Sequence, residues 1–140
     1  MVVMDLQVSS SSKQNEVHIH PNIWKQYEFI SKVLPDPADC YSRANLRELV
    51  SAAFSDNGPR LIKELVVKTM MWGSGTTNGR GPRYTNKALS DGKLVGTLIE
   101  VREFLMKSDI PSAYELHRRI PGVGPSFHTK LLWVIGSDIE

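Results

Sequence analysis

From Ile23 onward the apolar positions recur at helical rather than alternating spacing. Ile23, Tyr27, Ile30 and Leu34 form a first stripe, and Pro35 and Pro37 forbid its continuation. Ser42 is placed to cap a second helix carrying Leu46, Leu49, Val50 and Ala53 on one face. After Ser55-Asp56-Asn57-Gly58, Pro59 suits the first turn of a third helix that buries Leu61, Leu65, Val66 and Met70. Residues Gly73 to Arg83, GSGTTNGRGPR, read as a glycine-rich, basic loop. Leu94, Leu98, Val101 and Leu105 then mark a longer helix that Asp91 is placed to cap. Pro111 opens a short helix with Tyr114 and Leu116, ending in basic residues that suit the helix dipole. Pro125 begins a last helix through Ile135, and Gly136 stops it. No stretch alternates convincingly and no repeat is found. The pattern predicts an all-α fold, a compact multi-helix domain.

The polar, low-complexity stretch VSSSSKQNE, residues 8–16, cannot bury enough surface to order itself. Residues 1–18 are therefore expected to be a flexible arm and residues 19–140 the domain. The 140 residues, 41% hydrophobic and 23% charged, suit one globular domain able to fold on its own core. Seventeen Lys and Arg against fifteen Asp and Glu leave a net charge of only +2, so a nucleic-acid footprint must come from local clustering. Cys40 is the single cysteine, which excludes an internal disulfide and a Cys-rich zinc site and suits a reducing interior. No apolar run approaches the length needed to span a bilayer, and the first residues lack the features of a secretory signal. The expectation is a soluble, cytoplasmic monomer without a cofactor or metal.

The chemistry concentrates in Leu116 to Val134, LHRRIPGVGPSFHTKLLWV. Gly122 and Gly124, flanking Val123, allow a tight turn that side chains at those positions would obstruct. Val123 is expected to point inward while the N–H groups of Gly124 and its neighbours point outward at the start of the next helix. Those free donors, with the helix dipole, make a site for one phosphate. Arg118, Arg119 and Lys130 supply cations beside it.

Ile120-Pro121-Gly122-Val123-Gly124, with Leu131 and Leu132 behind it, resembles the helix-hairpin-helix motif, placed here over residues 111–136. Such motifs grip the DNA backbone without reading sequence. The string Gly-Pro-Ser-Phe-His-Thr-Lys-Leu-Leu, residues 124–132, is similar to bacterial proteins with an 8-oxoguanine DNA glycosylase fold, and Phe127 to Lys130 to a string in archaeal 8-oxoguanine glycosylases. The resemblance is specific over residues 116–136 and general from residue 42 onward. It implies a base-excision repair protein of the helix-hairpin-helix glycosylase superfamily. Such a protein flips an oxidised purine out of double-stranded DNA and breaks its N-glycosidic bond by hydrolysis or lyase chemistry. Gly122, Val123, Gly124 and Ser126 would then hold the phosphate, with Phe127 in the base pocket.

Two positions depart from that pattern. Bifunctional members place a nucleophilic lysine at the start of the second hairpin helix, where this chain has Pro125 and Ser126. Lys130, one turn further on, is the candidate amine. The catalytic aspartate that follows the hairpin in such proteins has its only counterpart in Asp138, which arrives early in a segment expected to fray. A shortened glycosylase, or a scaffold that has lost its chemistry, is expected to excise weakly or not at all. The alternative is a catalytically inactive module holding DNA or a partner protein through the same hairpin.

A second candidate is Trp72 to Arg83. Its glycines permit close backbone approach, Arg80, Arg83 and Lys87 add charge for DNA, and Trp72 is placed to stack on a base. It lacks the Gly-Lys-Ser/Thr ending of a P-loop. His18 and His20 have no obvious third ligand set for a metal, Trp133 reads as core, and the acidic setting of Cys40 disfavours a reactive thiol.

Overall fold

The apolar residues between Ile62 and Met71 surround most of a helix circumference, and that dictates the architecture. Pro59–Ser74 is the central helix, with the others packed around it. The computed structural model describes residues 17–56, 58–74 and 80–139. In chain order the elements are β1 (Val17–His18), α1 (Pro21–Lys25), α2 (Glu28–Val33), β2 (Cys40–Tyr41), α3 (Arg43–Ser55), α4 (Pro59–Ser74) and α5 (Arg80–Leu89). They continue with α6 (Leu94–Met106), α7 (Ile110–Glu115), a 3-10 turn (Leu116–Arg119) and α8 (Pro125–Ile135). The fold is all-α apart from one small ladder. Ile62, Leu65, Val66, Val67, Met70 and Met71 of α4 are fully buried, and the helix meets α2, α3, α5, α6 and α8.

Several expectations hold locally. Ser42 caps α3: its Oγ accepts from Asn45 N–H, while Asn45 Oδ1 accepts from Ser42 N–H, a reciprocal capping box. Leu46, Val50 and Ala53 of that helix are buried. Asp91 acts one step before α6 rather than as its cap, its Oδ1 accepting from Lys93 N–H at 2.7 Å.

Other expectations need correction. The stripe from Ile23 to Leu34 is two helices, because Tyr27 is extended (φ −95°, ψ 128°). The second one starts on a cap from elsewhere: Asn86 Oδ1, on α5, accepts from Phe29 N–H at 2.9 Å and from Ile30 N–H at 3.4 Å. Strand pairing occurs where none was expected, with Val17 opposite Tyr41 and His18 opposite Cys40, so these two residues of the expected arm lie within the fold. Residues 1–16, and with them the rest of that arm, lie outside the described residues.

The 73–83 loop is also shorter than expected. Helix α4 continues through Ser74 and α5 begins at Arg80, while residues 75–79 lie outside the described residues. Pro82 is tolerated because it falls in the first turn, where its missing N–H has no helical partner to lose. The buried side of α5 is Gly81, Pro82, Thr85, Ala88 and Leu89. A face made mostly of small residues escapes a search for hydrophobic periodicity. Trp133, expected in the core, is 48% exposed.

Candidate nucleic-acid interface

The hairpin is assembled from local signals. Asp109 caps α7, its carboxylate accepting from Ser112 N–H at 3.2 Å and Ser112 Oγ at 2.7 Å. The chain then tightens through the 3-10 turn to buried Ile120. Gly122 follows in the left-handed region (φ +82°), and a Cβ there would stand 2.5 Å from Tyr84 O. Glycine is thus required both by backbone conformation and by space. Val123 points inward and is buried, as its place between the glycines suggests.

Gly124 is different. Its φ is −81°, it is exposed, and a Cβ there would meet nothing within 4 Å. The turn itself therefore needs only one of the two glycines, and Gly124 leaves open space at the start of α8. Pro125 and Ser126 are exposed beside it. The first-turn N–H groups of α8 have no carbonyl partner within the helix.

His128 pins the two arms together. It is fully buried, and its Nε2–H donates to Ala113 O on α7 at 2.9 Å. Nδ1 is then left as a buried acceptor with no partner among the described residues. Burial holds the imidazole pKa below its ordinary value, the Ala113 bond opposes that, and neighbouring His117 adds to it.

Helix α5, unforeseen in the sequence, completes the face. Tyr84 O and Lys87 Cβ lie against the Gly122 position, and Tyr84, Gly122, Val123, Gly124 and Phe127 line a shallow depression of about 430 Å³. Arg83 is exposed beside it, its guanidinium 5.0 Å from the Tyr84 ring, and Lys87 is exposed too. Arg80 stands at the start of the same helix. Lys130 lies over the Phe127 ring at 5.2 Å and its Nζ donates to Gly73 O at 3.0 Å, tying α8 to the end of α4. The hairpin, the start of α5 and the end of α4 therefore share one face.

Not every expected residue joins them. Arg119 is ion-paired with Glu100 at 2.7 Å, and Arg118 with Glu115 at 3.2 Å. Trp72 has different surroundings from Phe127: its ring stacks on Trp133, with centroids 6.0 Å apart and planes 8° from parallel. Asp138 does not sit in a fraying end, because Arg102 pairs with its carboxylate and Ser51 Oγ donates to it at 3.1 Å. Tyr84 does not stand out in the sequence. Arg80, Arg83, Tyr84 and Lys87 do recur at helical spacing, a signal obscured by Gly79, Gly81 and Pro82.

No helix among the described residues is long and apolar enough to cross a membrane. They also hold no cluster of three or more His, Cys, Asp or Glu able to bind a metal ion. Against known proteins, a family model described as "Putative 8-oxoguanine DNA glycosylase OGG-like protein" matches residues 10–140. No curated protein and no solved structure matches the chain.

Proposed function

The chain belongs to this 8-oxoguanine DNA glycosylase OGG-like family, and on that premise we propose that it binds double-stranded DNA through the hairpin face and excises an oxidised purine. The observation that carries the reading is the packing of Gly122 on Tyr84. It supports one surface on which the free N–H groups at the start of α8 meet a phosphate, while Arg83 and Lys87 neutralise its neighbours. Gly124 and Ser126 stand at the phosphate, and their small size lets the backbone approach closely. Phe127, at the edge of the depression, offers a ring to a flipped base, whose purine N9 to sugar C1′ bond is the one broken.

Lys130 is the amine that the hairpin helix itself offers to C1′. To act as nucleophile it must leave Gly73 O; while it stays there, it positions the end of α4 on the DNA side. Asp138 has no place in the proposed chemistry, since Arg102 and Ser51 already engage its carboxylate.

The test is a duplex carrying 8-oxoguanine opposite cytosine, incubated with the chain and treated with borohydride or alkali. A trapped adduct that disappears in Lys130→Ala makes Lys130 the nucleophile. Alkali-labile sites without an adduct make water the nucleophile. Salt-sensitive binding with no base released would overturn the excision and leave DNA binding in place.

A further inference from the structure

At the end of α8 away from the hairpin turn, a cavity of about 680 Å³ opens between α3, the α6–α7 junction and the last turn of α8. Leu105, Ile110, Trp133 and Ile139 give it an apolar lining, Arg43 and Arg47 stand at its side, and among the described residues no carboxylate lines it. The large hydrophobic side chains most exposed among the described residues cluster at this end: Met106 at 63%, Ile110 at 60% and Trp133 at 48%.

The two arginines are placed against their own electrostatics. They stand one turn apart on α3, where like charges repel, and Arg43 is its first residue, where the helix dipole disfavours a cation. Neither forms an ion pair with a described residue; Arg43 instead lies over the Trp133 ring at 4.3 Å. An anion at the cavity mouth relieves both penalties at once. Trp, Arg and Met are also the residues enriched where proteins meet. The mainly aliphatic floor suits a bulky side chain better than a run of stacked bases.

We propose that this cavity docks a partner protein through a short acidic segment bearing a bulky apolar side chain, which fills the floor while its carboxylates meet Arg43 and Arg47. Trp133 lies nine residues beyond Gly124 on α8, about 14 Å along the axis at the usual helical rise. The docking site is thus distinct from the proposed phosphate site, although the stacking of Trp133 on Trp72 sets it beside the end of α4.

Random dodecapeptides displayed on phage, selected on the full chain and counter-selected on Arg47→Glu, test the proposal. Both Arg47 and Trp133 are exposed, so Arg47→Glu and Trp133→Ala keep the helical circular dichroism of the parent. Selected peptides are expected to combine Asp or Glu with an aromatic or large aliphatic residue. As labelled synthetic peptides they should bind at least tenfold more weakly to either variant and to the parent in high salt. Survivors without acidic residues, or none at all, would overturn the proposal. So would a single-stranded oligonucleotide that displaces the peptides and itself needs Arg47, or a dimer of the chain that Trp133→Ala dissolves.

Discussion

The guanidinium of Arg102 pairs with both carboxylate oxygens of Asp138 and also donates to Ile135 O at 2.7 Å, closing the end of α8. The Arg102 hydrogen bond is the main reason that the Asp138 pKa lies below the ordinary aspartate value, despite partial burial that opposes it. A depressed carboxylate pKa stabilises the fold above the unfolded-state value, and that stability is lost as pH falls through the folded one. Asp138→Asn should therefore destabilise the protein by about 2 kcal/mol at neutral pH. That gap should close as pH drops below about 4. Urea unfolding of parent and variant across that range measures it. DNA affinity at neutral pH should not change, since Asp138 stands at the far end of α8 from the hairpin.

Gly122 and Gly124 look equivalent in the sequence and should respond oppositely to substitution. Gly122→Ala forces a side chain into a left-handed residue and onto Tyr84 O. It should destabilise the protein by about 1–3 kcal/mol and loosen the hairpin from α5. Gly124→Asp meets open space, and aspartate is a good N-cap, so stability should hold or rise. Yet a carboxylate now stands where a phosphate must come, and duplex affinity should fall at least tenfold. Thermal unfolding and fluorescence anisotropy separate the two effects. Weaker DNA binding by Gly122→Ala alone would move the phosphate away from the α8 start.

The contrast marks how far the sequence is legible. Helices with their own caps and apolar stripes, such as α3 from Ser42 and α8 between Pro125 and Gly136, can be read from local signals. The start of α2 cannot, because its cap is Asn86, far along the chain. Helix α5 is hidden because small residues rather than large apolar ones form its buried side. With it goes Tyr84, the residue against which the hairpin glycine is packed. The motif is visible at Ile120 to Gly124; the surface beside it depends on packing between distant segments. The position of Asp138 likewise suggests a loose end, since nothing nearby in sequence announces Arg102 or Ser51 as partners.

His128 makes the hairpin sensitive to acid. Its depressed pKa means that the unfolded chain takes up a proton at a higher pH than the folded one. Stability from this residue is complete above the unfolded value of about 6.5 and is lost as pH falls through the folded value. The thermal midpoint should decline from pH 7.5 to pH 5. His128→Gln, which keeps an amide donor for Ala113 O but has no proton to gain, should be less stable at pH 7.5 and lose less on acidification. A slope equal to that of the parent would assign the acid sensitivity to another group.

The cations of α5 should act on DNA through charge alone. Arg83 and Lys87 are exposed, so replacing either by Gln removes a cation beside the hairpin without opening the core. Each phosphate deprived of its cation should reduce the steepness of log affinity against log salt by about 0.9, whatever the sequence of the duplex. Affinity should therefore fall most in dilute salt and converge with the parent as salt rises. Arg119→Gln should change the slope less, because Glu100 already neutralises that guanidinium. Titrations of two unrelated duplexes at four salt concentrations are enough to measure this. An equal reduction for Arg119 and Arg83 would place the DNA across the 3-10 turn as well as along α5. A reduction confined to one duplex would mean that α5 reads bases, a role that purely phosphate-directed cations do not have.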